Sequence, residues 1–195
     1  MVAKLKLTNV EFTRLLRYTV ILSFRYNVIC RLHTGEQEEH YNKLALSISA
    51  PEFRLKEMKS LLLDIYPDDA AFFNAFSRKE LTTTFTRNKR IVKYILCQME
   101  NQLENKELDH ESENISIEHI LPENPGVEWK DIDEYNSERY IYRLGNYTLL
   151  ELKKNRDASN NSYQAKREIY ESSSYKITSN LAESVSKWDL AAIER

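Results

Sequence analysis

The residues of this chain best suited to chemistry lie in Ile117-Glu118-His119-Ile120-Leu121-Pro122, with Asn146 following 27 residues after the histidine and Asn155 nine residues further on. A neutral imidazole near its ordinary pKa can take a proton from water at neutral pH. Asparagine cannot, but its amide oxygen can hold an imidazole or ligate a hard metal ion. One acid, Glu118, stands directly before His119. Hydrolysis of a phosphodiester needs a base for the attacking water and a cation to neutralise charge on the phosphate and the leaving oxygen. This set offers one base, His119, and oxygen ligands rather than a soft zinc set. Cys30 and Cys97 both fall outside it, which speaks against a cysteine zinc knuckle. The same spacing also suits a strand-end histidine that only satisfies nearby backbone groups.

The elements that must position these residues are short. Ile115, Ile117 and His119 alternate with Ser116 and Glu118 as a strand would. In a strand Glu118 and His119 point to opposite faces, so they share one site only if the backbone turns at Pro122. Tyr147-Thr148-Leu149-Leu150 reads as a second strand entered through Gly145, after an acidic loop over Pro122 to Arg139 with a short helix near Trp129 to Tyr135. Ala158 to Tyr170 and roughly 178 to 193 read as helices, the last with Leu181, Val185 and Trp188 on its buried stripe.

Upstream the pattern is helical throughout. Residues 9 to about 33 form one amphipathic stretch with Phe12, Leu15, Leu16, Thr19, Leu22 and Tyr26 on its apolar face and Thr8 or Asn9 as cap. Glu38 to Ser47 follows, then Leu55, Met58, Leu62 and Ile65 at helical spacing before Pro67. Asp68 to Phe76 and Asn88 to Leu103 complete the series, the latter with a stripe of Ile91, Ile95, Met99 and Leu103. Residues 104 to 114 are dense in ionisable side chains and suit a linker. The expected fold is therefore mainly α: a helical bundle over 1–105, then a compact ββα-metal core over 106–195 whose C-terminal helices pack back on the bundle.

Composition bounds the rest. Hydrophobic residues make up 42% of 195, enough for a sizeable core, and the net charge of -2 excludes a strongly basic nucleic-acid glove while permitting a local basic face. Seven Lys or Arg against four acids between Arg143 and Lys176 could be such a face, or an ordinary solvated surface. Tyr140, Tyr142 and Tyr147 could stack on bases or pack in a core. Cys30 and Cys97 read as buried free thiols of a reduced compartment. Arg17 and Arg25 close the greasiest run, and lysines at 4 and 6 precede no signal-like apolar core, so the sequence predicts a cytoplasmic protein without a membrane span.

The motif residues resemble those of the DUF1524 domain, the C-terminal nuclease domain of GmrSD-type modification-dependent restriction enzymes, within the HNH or His-Me finger superfamily. The resemblance rests on Ile117 to Pro122, Arg143-Leu144-Gly145-Asn146-Tyr147-Thr148-Leu149-Leu150, Asn155, Ser159-Asn160 and Lys166, with the Phe24-Arg25-Tyr26-Asn27 helix similar to the region preceding this motif. It implies that His119 is the general base, that Asn146 positions the His119 side chain through its amide, and that Glu118 and Asn155 hold the metal. Lys166, Asn160 and Arg143 would be phosphate or DNA contacts. It further implies Mg²⁺ or another divalent cation such as Mn²⁺, a DNA substrate, and a role in bacterial restriction or defence.

Two departures from the family pattern stand out. The third motif position is Asn155 where many relatives place histidine, which implies weaker, harder metal ligation. The nucleotide-dependent DUF262 domain that usually accompanies this one is expected to be a separate domain or subunit, since three glycines cannot build a Walker-type loop. The chief reading is a metal-dependent DNA endonuclease or nicking module. The alternatives are a catalytically weak or inactive DNA-binding scaffold of the same ββα shape, and a purely structural helical interaction domain.

Overall fold

A computed structural model describes residues 6–50, 53, 55–132 and 134–194; Lys4 and the side chain of Leu55 lie outside the described residues. The chain divides into two compact units, Met1–Phe76 and Ser77–Arg195.

The first unit is helical. Helix α1 (Asn9–Ser23) starts at a capping box in which Thr8 accepts from the Glu11 N–H and the Glu11 carboxylate accepts from the Thr8 N–H. It widens into a π-helical turn over Phe24–Ile29. Arg31, at φ 52°, ends it short of the expected residue 33. Helices α2 (Thr34–Ser49), α3 (Leu55–Leu63) and α4 (Asp69–Ser77) follow. Leu15, Leu22, Tyr26, Leu44, Ile48, Met58, Leu62 and Ile65 form the core. Leu16, expected on the buried face of α1, is exposed.

The second unit holds helix α5 (Thr86–Glu104), strand β1 (Ile115–His119), helix α6 (Glu134–Tyr140), strand β2 (Tyr147–Glu151), and helices α7 (Leu152–Ala158), α8 (Tyr163–Glu171), α9 (Lys176–Ser184) and α10 (Leu190–Glu194). The strands pair antiparallel, with His119 opposite Tyr147 and Ile115 opposite Glu151. The fold is mainly helical, as expected, with this one two-stranded sheet among the described residues. The division at 76/77 differs from the expected 105/106 because α5 packs on both strands and on α9, so it belongs with the sheet.

Two elements differ from the periodicity reading. On α5 the buried residues are Val92, Ile95, Leu96, Cys97 and Glu100, whereas Met99 is 44% and Leu103 56% exposed. The face is rotated because the Glu100 carboxylate accepts from the N–H groups of Lys176 and Ile177 at 2.8 Å each, capping α9, whose own N-cap residue Tyr175 offers no side-chain bond. The expected helix over 178–193 breaks between α9 and α10, where the Asp189 carboxylate accepts from the Ala192 N–H and restarts the helix. The break turns Trp188 into the core of Ile120, Leu121, Tyr140, Leu150 and Tyr170. Glycine is required at 145: a Cβ there would lie 2.0 Å from the carbonyl oxygen of Ile193. No helix among the described residues is long and apolar enough to cross a membrane.

Candidate functional site

His119 ends β1, facing the same side of the sheet as Tyr147, its cross-strand partner, and the two rings meet edge to face at 4.8 Å. Tyr142 lies against the imidazole as well, at 6.1 Å between centroids. The segment before α5 completes the surround. The Leu144 N–H donates to Lys79 O at 2.8 Å and the Leu81 N–H to Tyr142 O at 2.9 Å, while the Tyr147 hydroxyl donates to Leu81 O at 2.8 Å. This lacing carries Thr83 to the ring, with Oγ1 at 3.1 Å from His119 Nε2. Glu123 Oε1 stands 3.5 Å from the same nitrogen, and its side chain remains 41% exposed against 18% for His119. Burial pushes the imidazole pKa down to about 4, with the Glu123 carboxylate opposing and the Lys166 ammonium reinforcing the shift. The ring is therefore neutral at pH 7.

Glu118 occupies the other face of β1, and the backbone does not turn to bring it round. Its Oε1 accepts from Lys166 Nζ at 2.7 Å and from the Tyr170 hydroxyl at 2.6 Å, and Lys166 Nζ also donates to the His119 carbonyl oxygen at 2.7 Å. Glu118 and Lys166 are both enclosed. Burial raises the Glu118 pKa while Lys166 opposes it, and burial lowers that of Lys166 while Glu118 opposes it. At this distance the pair is best described as ionised on both sides. Lys166, expected to touch phosphate, is thus an internal counter-ion, and Glu118, expected to ligate a metal, already faces a cation.

Asn146 is fully buried and does not bond to the His119 ring. Its Oδ1 accepts from the Leu121 N–H at 2.7 Å and from Trp188 Nε1 at 3.2 Å; its Nδ2 donates to the carbonyls of Leu121 at 2.8 Å and Ile141 at 3.0 Å. Its backbone oxygen accepts from the Ile120 N–H. The amide therefore positions the histidine through the backbone that follows it. Asn155, on α7, donates through Nδ2 to Ile117 O at 3.0 Å, which leaves its amide oxygen for a ligand. Arg143 is largely enclosed, 3.4 Å from Glu80 through an Nε that makes no well-formed hydrogen bond, and 5.3 Å from the Tyr140 ring centre. Asn160 is exposed in the turn after α7.

The structure thus gathers Thr83, Glu123 and Tyr142 around His119, and of these the sequence singles out only Tyr142, as a base-stacking residue. Glu123 has a local signal, one acid four residues after the histidine. Thr83 has none beyond the run Thr82-Thr83-Thr84, because its approach depends on pairing with residues 142 to 144. Among the described residues no three His, Cys, Asp or Glu side chains converge as a metal cage. A magnesium ion commonly uses one or two carboxylates plus substrate phosphate and water. Glu118 does not fit that role, held as it is by Lys166 and Tyr170, whereas the half-exposed Glu123 carboxylate beside His119 does.

The family model described as "GmrSD restriction endonucleases, C-terminal domain" matches residues 66–195. No curated protein and no solved structure matches the chain. The match covers well over half of the chain, and the chain belongs to this family of restriction-endonuclease C-terminal domains.

Proposed function

We propose, from that membership, that residues 77–195 form a DNA endonuclease module, HNH-like in its strand–strand–helix order, in which His119 is the general base for phosphodiester hydrolysis. The observation that carries the reading is the largely enclosed imidazole at the end of β1 with Thr83 and the half-exposed Glu123 both at Nε2. A carboxylate beside Nε2 favours the tautomer with the proton on that nitrogen, leaving Nδ1 to accept a proton from water. Asn146 fixes the backbone after the ring, and Lys166 fixes the carbonyl of His119 itself. Mg²⁺ or Mn²⁺ bound with the substrate phosphate would be held by Glu123, with the Asn155 amide oxygen a further donor, and would neutralise charge on the phosphate. Recognition of modified DNA and nucleotide hydrolysis belong, in this reading, to a DUF262-type domain or subunit, and the whole acts in bacterial restriction.

One observation favours a second reading, a DNA-binding scaffold with weak or no turnover: an imidazole whose pKa lies near 4 is a poor proton acceptor. Supercoiled plasmid incubated with the full chain and Mg²⁺ or Mn²⁺ separates the two. Nicking by the wild type that His119→Ala loses while remaining folded supports the nuclease. Binding without cleavage by either protein supports the scaffold, and equal nicking by both proteins defeats the assignment of His119.

A further inference from the structure

Of the seven cations between Arg143 and Lys176, four have internal partners: Arg143 with Glu80, Lys154 with Glu151, Lys166 with Glu118 and Arg167 with Glu171. Arg156 is in none of the ion pairs among the described residues, and further uncommitted positive charge lies on α5. Arg87, Lys89 and Arg90, at the start of α5, are exposed and take part in none of the ion pairs among the described residues. The first turn of α5 has no acid, and its N-cap residue Phe85 makes no side-chain bond. Cations at a helix N-terminus oppose the helix dipole, and like charges at i,i+3 (Arg87, Arg90) and i,i+4 (Lys89, Lys93) repel. These residues weaken the helix they sit on, so their place has a cause outside it.

Of the three, Lys89 borders a groove beside β1. Lys89 and Lys93 from α5 line this groove of about 450 Å³ together with Asn155 and Arg156 from α7, over a floor of Ile115, Ser116 and Ile117 of β1. Lys93 also donates to the Ser112 carbonyl. Glu111 and Glu113 line the same groove. His119 is two strand residues beyond Ile117, roughly 7 Å. Arg87 is four residues from Thr83, which touches the His119 ring. A duplex advances about 3.4 Å along its axis per nucleotide of each strand, so the step from Ile117 to His119 corresponds to about two nucleotides of one strand.

We propose that Arg87, Lys89, Arg90 and Arg156 form a track for the backbone of one DNA strand, running along the open edge of β1 and delivering a phosphodiester to His119. The direction of the track rests on the nuclease reading; its existence as a DNA-binding surface does not. Binding of the full chain to a fluorescently labelled duplex is measured by anisotropy across a salt series. Removing one phosphate-binding cation flattens the plot of log affinity against log salt by about 0.9, so the variant Arg87→Ala/Lys89→Ala/Arg90→Ala/Arg156→Ala has a slope flatter by about 3.6. Arg87→Lys/Arg90→Lys/Arg156→Lys keeps the wild-type slope, as does Lys187→Ala. An unchanged slope in the four-residue variant, or no binding by the wild type at low salt, overturns the track. A track-dependent slope in a protein that never cleaves leaves the track standing and removes the nuclease reading. Cleavage with an unchanged slope does the reverse.

Discussion

Replacing Lys166 with methionine separates the role the structure gives it from the role its position in the motif suggests. The methionine keeps the volume and removes the ammonium, so Glu118 retains only the Tyr170 hydroxyl in an enclosed site, and the His119 carbonyl loses its donor. Removing one partner of a buried ion pair costs about 3–5 kcal/mol, because the remaining charge is left without compensation. For a protein of this size that corresponds to a fall in Tm of roughly 10–15 °C. The double variant Glu118→Gln/Lys166→Met removes the stranded charge and recovers most of that stability, which a double-mutant cycle by thermal denaturation reads directly. A solvent-facing phosphate ligand behaves otherwise: its removal changes stability by no more than about 0.5 kcal/mol and weakens DNA binding. A Tm shift in Lys166→Met of under about 2 °C, with DNA affinity reduced, refutes the internal counter-ion.

Three further outcomes follow from the same geometry. Asn146→Ala strands the Leu121 N–H, the Leu121 and Ile141 carbonyls and the Trp188 indole N–H together, and costs about 3–5 kcal/mol by urea unfolding; a cost under about 1 kcal/mol contradicts the four-bond arrangement. Gly145→Ala forces a methyl against the Ile193 carbonyl, and the displacement of α10 lowers stability by about 1–3 kcal/mol in thermal denaturation. For Glu151, burial raises the pKa, but the Ser174 N–H and Lys154 outweigh it and hold the carboxyl at about 2. Its folded pKa is thus below the unfolded value of about 4.3, so its contribution is complete above about pH 5 and is lost as pH falls towards 2. With its side chain still partly open to screening solvent, Glu151→Gln destabilises at pH 7 by about 1–2 kcal/mol and much less at pH 3, and an equal difference at both pH values rejects the linkage.

How much of this is legible in the sequence depends on whether the cause is local. Alternation over Ile115 to His119 yields β1 and correctly puts Glu118 and His119 on opposite faces, because a strand's period is set by its own backbone. The Thr8 cap is equally readable, since its partner Glu11 is three residues away. Distant partners decide the rest. The buried face of α5 follows a carboxylate, Glu100, that caps a helix 76 residues later in the chain, and no apolar periodicity records that demand. Glu118 and Lys166 both stand out in the motif as functional, yet their mutual pairing across 48 residues converts two expected ligands into one internal ion pair. Asn146 is conspicuous by its place in the motif, but its work on the Leu121 backbone and on Trp188 requires the turn between α9 and α10 that the helical pattern over 178–193 conceals.

The most direct test of His119 as the base is chemical rescue. His119→Gly, confirmed folded by circular dichroism, is incubated with supercoiled plasmid and Mg²⁺ or Mn²⁺, with and without added imidazole. The expected result is a loss of nicking of roughly 10²–10⁴-fold, the usual share of a general base, and partial recovery that rises with imidazole concentration. Cleavage by His119→Gly at the wild-type rate, or a loss that imidazole never restores in a folded protein that still binds DNA, contradicts the account.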